Sequence, residues 1–184
     1  MFGLKATKKK QKNSEGGNEM TEFAIGQDSH AFARSYDPEK PLILGGVVFD
    51  DVFLSVKANS DGDVILHALT NAISGITTRN ILGKPADDMC KSGITDSAEY
   101  LKLALDDLEK SGYELTRISL SVECKKPKLS PRIEEIRQKI AALCGISPSS
   151  VGITATTGEG LSPFGKGLGI QVFCGISAEK QTAD

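Results

Sequence analysis

The chain contains only two histidines, His30 and His67, and each stands near carboxylates in a glycine-containing segment. The first segment reads Gly-Gln-Asp-Ser-His over residues 26–30, and the second reads Asn-Ser-Asp-Gly-Asp-Val-Ile-Leu-His over residues 59–67. Two imidazoles and one carboxylate can fill three positions of a tetrahedral zinc site and leave the fourth open for a substrate oxygen. The two segments therefore predict a metalloenzyme.

The periodicity around His67 favours a ligand over a buried structural histidine. The spacing predicts a helix from Ser60 to Ile76, with Ser60 as N-cap and Asp63 at the capping-box position. Its apolar stripe comprises Ile65, Leu69, Ala72, Ile73 and Ile76. At about 100° per residue, His67 lies about 200° from Ile65, away from that stripe, and Asp63 lies one turn earlier on the same side.

Bulk properties exclude several classes of protein. A length of 184 residues suggests one domain, which we place at residues 21–178, between a disordered Lys-rich arm (1–20) and a flexible tail (179–184). The net charge of -2 gives no general attraction to nucleic acid or to a membrane. The four cysteines form no CxxC pair, which is typical of reduced thiols and predicts a cytoplasmic protein.

The remaining pattern predicts an α/β sandwich, with helices packed on one face of a mixed β-sheet. A first strand, 23–26, leads into a loop that carries Asp28 and His30, and a hairpin covers 41–49 with a glycine pair at its turn. Residues 75–93 are predicted to be an irregular, mobile loop that could act as a substrate lid. Further helices are predicted at 96–111 and from 130 to 145, and further strands at 118–124, 151–157 and 168–176.

Six segments in family order resemble the 2-C-methyl-D-erythritol 2,4-cyclodiphosphate synthase family of the non-mevalonate isoprenoid pathway. They are spread over residues 22 to about 177, and the stretch from Ser60 to Thr70 is the most specific. The segments are Ile25-Gly26-x-Asp28-x-His30-Ala31-Phe32, Leu42-Ile43-Leu44-Gly45-Gly46-Val47, Ser60-Asp61-Gly62-Asp63-Val64-x-Leu66-His67-Ala68-Leu69-Thr70, Asp96-Ser97, Pro127-Lys128-Leu129 and Ala155-Thr156-Thr157-x-Glu159-x-Leu161.

This resemblance implies a homotrimer with active sites between neighbouring subunits. The family's substrate is a cytidine-diphosphate-linked methylerythritol, whose 2-phosphate attacks the β-phosphate, closes a cyclodiphosphate and expels CMP. The resemblance also implies zinc at Asp28, His30 and His67, and Mg²⁺ or Mn²⁺ at Glu159. The cytosine would be bound by the segment Pro127, Lys128 and Leu129, together with Ala155 and Thr157.

The chemistry needs no side-chain nucleophile, because the substrate brings its own phosphate oxygen. Asn59, Ser60, Thr156 and Thr157 are expected to bind substrate, and Glu159, Asp63 and Thr157 to serve catalysis. For Asp63 two roles stay open, since its carboxylate could fix the His67 ring or only cap the helix. For Thr156 and Thr157 a diphosphate cradle and a plain tight turn are both open.

Four positions depart from the family pattern. Asn59 stands where the family usually has a His, Ile81 where it has a ribose-binding Asp, and Gly158 where it has a Thr. Lys166 replaces the Arg that lines the central trimer channel, keeping the charge without the bidentate fork. Three functions therefore compete: a divergent active enzyme, a relative that keeps the trimer and metal but binds another diphosphate, and a non-catalytic zinc-binding trimer.

Overall fold

A computed structural model describes residues 20–181. A four-stranded sheet carries the helices, and a short two-stranded hairpin lies beside it. The elements are β1 (Thr21–Ala31), β2 (Ile43–Leu44), β3 (Val47–Val48), α1 (Val64–Thr77), α2 (Lys84–Lys91), α3 (Ser97–Lys110), β4 (Tyr113–Glu123), α4 (Ile133–Cys144), β5 (Val151–Thr156) and β6 (Gly169–Lys180).

The main sheet has the order β1-β6-β4-β5, with β4 and β5 parallel and the other pairs antiparallel. Helices α1, α3 and α4 pack on one face, which confirms the expected mixed sheet. The pattern of strand β6 explains why one face is covered, because from Ile170 to Glu179 buried residues alternate with exposed or half-buried ones. Its inward side chains are at most 1% exposed: Ile170, Val172, Cys174, Ile176 and Ala178.

Strand β1 is longer than predicted, and Asp28 and His30 lie inside it rather than in a following loop. The antiparallel ladder with β6 continues past Gly26, pairing Asp28 with Val172 and His30 with Ile170. The segment from Gln27 to His30 has no β-branched residue, so its own propensity does not indicate a strand. The backbone partners on β6 hold it extended instead.

Helix α1 begins at Val64, and its N-cap is Asp63 rather than Ser60. The Asp63 carboxylate accepts hydrogen bonds from the backbone N–H groups of Ile65 (3.1 Å) and Leu66 (3.0 Å). It also accepts from Gly45 (2.9 Å) and Gly46 (2.6 Å), which form the predicted turn between β2 and β3. One buried side chain thus joins the hairpin to the start of α1.

The prediction of an irregular loop at residues 75–93 is wrong, since much of this segment is helical. Helix α1 continues through Thr77 and ends at Thr78, which has a φ of 58°. Helix α2 then starts at Lys84, with Pro85 in its first turn, where proline is tolerated. Lys84 and Asp88 form an ion pair along the exposed side of α2.

The chain ends differ slightly from the predicted domain limits. Strand β6 continues through Lys180, and Glu179 pairs with Thr21, so the sheet extends beyond residue 178. Residues 1–19 and 182–184, which hold most of the predicted arm and part of the tail, lie outside the described residues. Within the part that the structure describes, no helix is long and apolar enough to cross a membrane.

We predict that Asp63→Ala lowers the free energy of unfolding by at least about 3 kcal/mol. The substitution removes an N-cap and leaves buried N–H donors without an acceptor. Ser60→Ala is the matched control, because Ser60 accepts only the Gly62 N–H (3.2 Å) among backbone donors. Urea unfolding at equal protein concentration measures both, and equal losses would contradict the capping assignment.

Candidate metal centre

The structure brings Asp28, His30 and His67 together. Nδ1 of His67 lies 3.0 Å from Oδ2 of Asp28, and Nε2 of His30 lies 3.2 Å from the same oxygen. The two ring nitrogens are 3.2 Å apart. All three donor atoms lie within 4.8 Å of one another, close enough to hold one ion.

Local structure explains this convergence. Asp28 and His30 are two residues apart on β1, so both side chains leave the same face of the strand, toward α1. Gly26 lies on that face and allows α1 to approach closely, since a Cβ there would overlap the backbone of Ala68 and Ala72. The close approach brings His67, the neighbour of Ala68, against the end of β1.

His67 is more enclosed than its helical position predicted. Its ring points away from the apolar stripe, yet the residue is only 8% exposed, because β1 and α3 cover that side of α1. Nε2 of His67 lies 2.8 Å from Oγ of Ser97 and 3.5 Å from Oγ of Ser60. Of the two roles left open for Asp63, the observed contacts favour the cap, because both of its carboxylate oxygens accept from backbone N–H groups.

The electrostatics of the three side chains suit a cation. Burial would raise the pKa of Asp28, but hydrogen bonds from His30 and His67, and the charges of those rings, hold this pKa well below its usual value. The carboxylate is therefore ionised at neutral pH. One carboxylate and two imidazoles are a common donor set for zinc, and three protein ligands leave one position free.

A cleft of about 840 Å³ opens over the three side chains. Two predicted substrate-binding residues, Asn59 and Ser60, line it beside the triad. Helix α2 and the turn before it form its far wall, and Cys90 Sγ lies 3.5 Å from the carbonyl oxygen of Asn59. The lining residues are Asp28, His30, Lys57, Ala58, Asn59, Ser60, His67, Asn71, Leu82, Gly83, Ala86, Asp87, Cys90 and Tyr100.

The other predicted site residues cluster at the end of β5 and in the loops beside it. The exposed ones are Lys128, Ala155, Thr156, Thr157, Glu159 and Lys166, while Pro127 and Leu129 are buried. Strand register relates this group to the metal centre, because Ser29, Gln171, Glu123 and Thr156 form one row across the sheet. Three strand spacings separate the ends of the row, or about 14 Å.

Two departures from the family pattern have clear structural settings. Ile81 is fully buried in the core, so its side chain does not face the cleft, whereas the next residues, Leu82 and Gly83, do. Gly158 has a φ of 53°, and a side chain there would meet the Glu123 carboxylate. That carboxylate accepts a hydrogen bond from Ser162, which keeps it in place.

Comparisons with known proteins agree with the geometry. The family model described as the YgbB family matches residues 21–179. The chain belongs to the YgbB family. It is 48% identical over 151 residues to the 2-C-methyl-D-erythritol 2,4-cyclodiphosphate synthase of Chlamydia muridarum, covering 82% of this chain and 83% of that protein. The resemblance seen in the sequence is thereby confirmed.

Two solved structures share the fold. The crystal structure of the Plasmodium vivax 2C-methyl-D-erythritol 2,4-cyclodiphosphate synthase is 30% identical, with a TM-score of 0.74, and is matched over 89% of this chain and 100% of that one. A Plasmodium falciparum structure described as IspF in a CDP complex is 26% identical, with a TM-score of 0.73, over 88% of this chain and 97% of that one.

We predict that Gly158→Ala destabilises the protein by about 2–4 kcal/mol, combining left-handed backbone strain with loss of the Ser162–Glu123 hydrogen bond. In a Glu123→Ala background the same change should cost only about 1–2 kcal/mol, because the strain alone is left. A double-mutant cycle from urea unfolding measures the coupling. Equal costs in the two backgrounds would refute the contact.

Proposed function

We propose that this protein is a phosphorus–oxygen lyase. It cyclises 4-diphosphocytidyl-2-C-methyl-D-erythritol 2-phosphate to 2-C-methyl-D-erythritol 2,4-cyclodiphosphate and releases CMP. The observation that carries the proposal is the convergence of Asp28, His30 and His67 in the main cleft of a YgbB-family chain. The 48% identity to a named synthase supports the same substrate.

The donor sets fit the two ions that the proposal includes. Asp28, His30 and His67 would hold Zn²⁺, and the exposed carboxylate of Glu159, with substrate phosphates, would hold Mg²⁺ or Mn²⁺. When bound, the two ions supply positive charge that offsets the repulsion between the reacting phosphates. Structural zinc sites usually have four protein ligands, so the three found here argue against a purely structural role.

The protein's own residues position the substrate. Asn59 and Ser60 line the cleft beside the triad and can donate hydrogen bonds to phosphate oxygens. In the second group of residues, at the end of β5, the segment Pro127, Lys128 and Leu129, with Ala155 and Thr157, would bind the cytosine of a substrate held at a neighbouring subunit's metal centre. The hydroxyls of Thr156 and Thr157 would contact its diphosphate. Holding the reacting groups in line can supply roughly 7–11 kcal/mol of the rate enhancement.

The proposed reaction balances without water or an added base. An oxygen of the 2-phosphate forms a bond to the β-phosphorus of the same molecule. The bond from that phosphorus to the oxygen that bridges the two phosphates breaks, and CMP leaves with the bridging oxygen and its electron pair. The cytoplasmic location stays a prediction from the sequence.

The proposal includes a homotrimer, which the uncovered face of the sheet supports. Phe23 and Ile25 on β1 and Phe173 on β6 share this face and are 65%, 64% and 49% exposed. Apolar side chains grouped in this way on one surface usually mark a protein interface. The separation of about 14 Å between the two groups of site residues also supports sites that neighbouring subunits complete. Lys166 is proposed to line the central channel.

A second candidate function is the binding or conversion of a different diphosphate. The observation that favours it is the burial of Ile81, which leaves the position matched to the ribose-binding Asp outside the cleft. Asn59 adds to it, since an amide cannot carry the proton charge of an imidazole. Both readings need the metal centre, so they differ in substrate rather than in fold.

The first test is incubation of the protein with the cytidine-linked substrate, zinc and magnesium, with CMP and cyclodiphosphate measured by chromatography. Asp28→Ala and His67→Ala are each predicted to weaken zinc binding by at least about 100-fold and to abolish CMP release, because each removes a direct ligand. Asp37→Ala, an exposed aspartate on another loop, is the control that should retain zinc.

The outcomes separate the candidate functions. Zinc binding with CMP release supports the cyclase. Zinc binding without CMP release supports the alternative diphosphate or a non-catalytic zinc-binding trimer. Unchanged zinc content in Asp28→Ala and His67→Ala would refute the assigned ligands.

The trimer is tested by Phe173→Glu, which places a charge on the uncovered face. We predict dissociation to monomers in sedimentation velocity, with loss of CMP release, because desolvating an unpaired carboxylate at an interface is unfavourable. Phe53→Glu is the matched control, since Phe53 is 79% exposed away from the sheet. A Phe173→Glu protein that sediments like the wild type would contradict the interface.

A further inference from the structure

The ring of His67 has a second polar partner that the proposed reaction does not use. Its Nε2 lies 2.8 Å from Oγ of Ser97, the first residue of α3, and Ser97 is fully buried. The Ser97 hydroxyl in turn contacts Oδ1 of Asp61. Histidine, serine and aspartate thus form a continuous chain of hydrogen bonds that runs from the metal centre into the protein.

The donor and acceptor groups determine which atom donates in each of these hydrogen bonds. An ionised carboxylate only accepts, so the single Ser97 hydroxyl proton is donated to Asp61. The Ser97 oxygen can then only accept from the ring, which requires the hydrogen of His67 to be on Nε2. With an ion bound, this leaves the lone pair of His67 on Nδ1, the atom that lies 3.0 Å from Asp28 and 3.2 Å from His30. The ion would take the place of the hydrogen that Nδ1 otherwise donates to Asp28.

We propose that Ser97 and Asp61 are positioning residues that set the tautomer and orientation of His67 for metal binding. This inference rests on the proposed function, since it deepens the role of the same metal centre. Hydrogen bonds to the distal nitrogen of a ligating histidine fix the ring and raise its basicity. Here the buried Ser97 hydroxyl connects the His67 ring to the Asp61 carboxylate, because Asp61 itself makes no hydrogen bond to the ring. We call this path from His67 through Ser97 to Asp61 the relay.

Asp61 is held firmly enough to serve this purpose. Its carboxylate accepts from the backbone N–H of Ser97 (3.0 Å) and of Asp63 (3.1 Å), and its own N–H donates to the carbonyl oxygen of Thr95 (2.9 Å). It therefore joins the segment before α1 to the segment before α3. The Asp61 carboxylate is therefore fixed by backbone contacts, so the Ser97 hydroxyl that donates to it has one favourable orientation.

The other hydroxyl near the ring is a weaker partner. Oγ of Ser60 lies 3.5 Å from Nε2 of His67, at the limit of a hydrogen bond, and already accepts the N–H of Gly62 at 3.2 Å. Asp63 contributes through the backbone alone, as the start of the helix that carries His67. Among the described residues, Ser97 thus makes the closest side-chain contact to this nitrogen.

Zinc affinity, measured by competition with a chelating dye, is the first test. Ser97→Ala should weaken zinc binding by roughly 10–100-fold. Asp61→Asn, which keeps the size of the side chain and a weaker acceptor, should cause a smaller loss. The double variant should lose no more than Ser97→Ala alone, because both residues act through one nitrogen.

Asp96→Ala is the matched control for damage to α3. Asp96 is the N-cap of the same helix and accepts the N–H of Ala98 at 2.8 Å, so its loss weakens the helix without touching the relay. We expect the midpoint of thermal unfolding of Asp96→Ala to fall while its zinc affinity stays at the wild-type value. A loss of zinc affinity in Asp96→Ala equal to that in Ser97→Ala would show a merely structural effect and overturn the proposal.

Nitrogen NMR of the zinc-loaded protein supplies a readout that does not depend on activity. Because the chain has only two histidines, the ring signals can be assigned in the zinc-free protein with a single His30→Ala spectrum and then followed through a zinc titration of the wild type. The expected result is zinc on Nδ1 of His67, with a slowly exchanging hydrogen on Nε2 that exchanges faster in Ser97→Ala. Zinc on Nε2, or unchanged exchange and affinity in Ser97→Ala, would overturn the relay. A wild-type protein that binds no zinc would instead refute the proposed function.

Discussion

Helix α1 lies directly on the backbone of β1 at Gly26, and this contact sets the distance between the two elements that carry the metal centre. Any side chain at Gly26 would overlap the backbone of Ala68 and Ala72, so the helix would have to move outward. The ring of His67 would then leave the reach of Asp28 and His30. Close packing of backbone against backbone therefore produces the convergence of three polar side chains from distant parts of the sequence.

Two carboxylates near the start of α1, those of Asp61 and Asp63, hold this helix in place through different partners. Asp63 binds the hairpin turn and the first N–H groups of α1, which fixes the direction of the helix. Burial raises the pKa of Asp63 to about 6, against the lowering effect of hydrogen bonds from Gly46, Leu66 and Gly45. Asp61 connects the same segment to α3. The site thus depends on side chains that never face the cleft.

Much of the metal centre could be predicted from the sequence, because rare histidines beside carboxylates are a local signal. Helices α1, α3 and α4 and the hairpin were also predictable, since periodicity and turn glycines are local too. Helix α2 was not predicted, because it has no fully buried residue and so lacks a core-facing apolar stripe. The extension of β1 was not predicted either, because its stability comes from pairing with β6, far along the chain. Capping by Asp63 was one of two roles left open from the sequence, but its contact with the hairpin was missed for the same reason: two of its four donors are in the hairpin. Ser97 could have been found only from its place in the Asp96-Ser97 motif.

The metal centre and the residues at the end of β5 are two separate groups, and this separation affects how long a bound molecule stays attached. Under the proposed reaction, the intact substrate contacts the metal centre of one subunit with one end and the end of β5 of a neighbouring subunit with the other. Bond cleavage between the phosphates splits it into two fragments, each attached at one end only. The advantage of simultaneous attachment is then lost, so both fragments dissociate more readily than the parent molecule. The same separation of the two groups that favours a long ligand thus also favours release of the products before the next turnover.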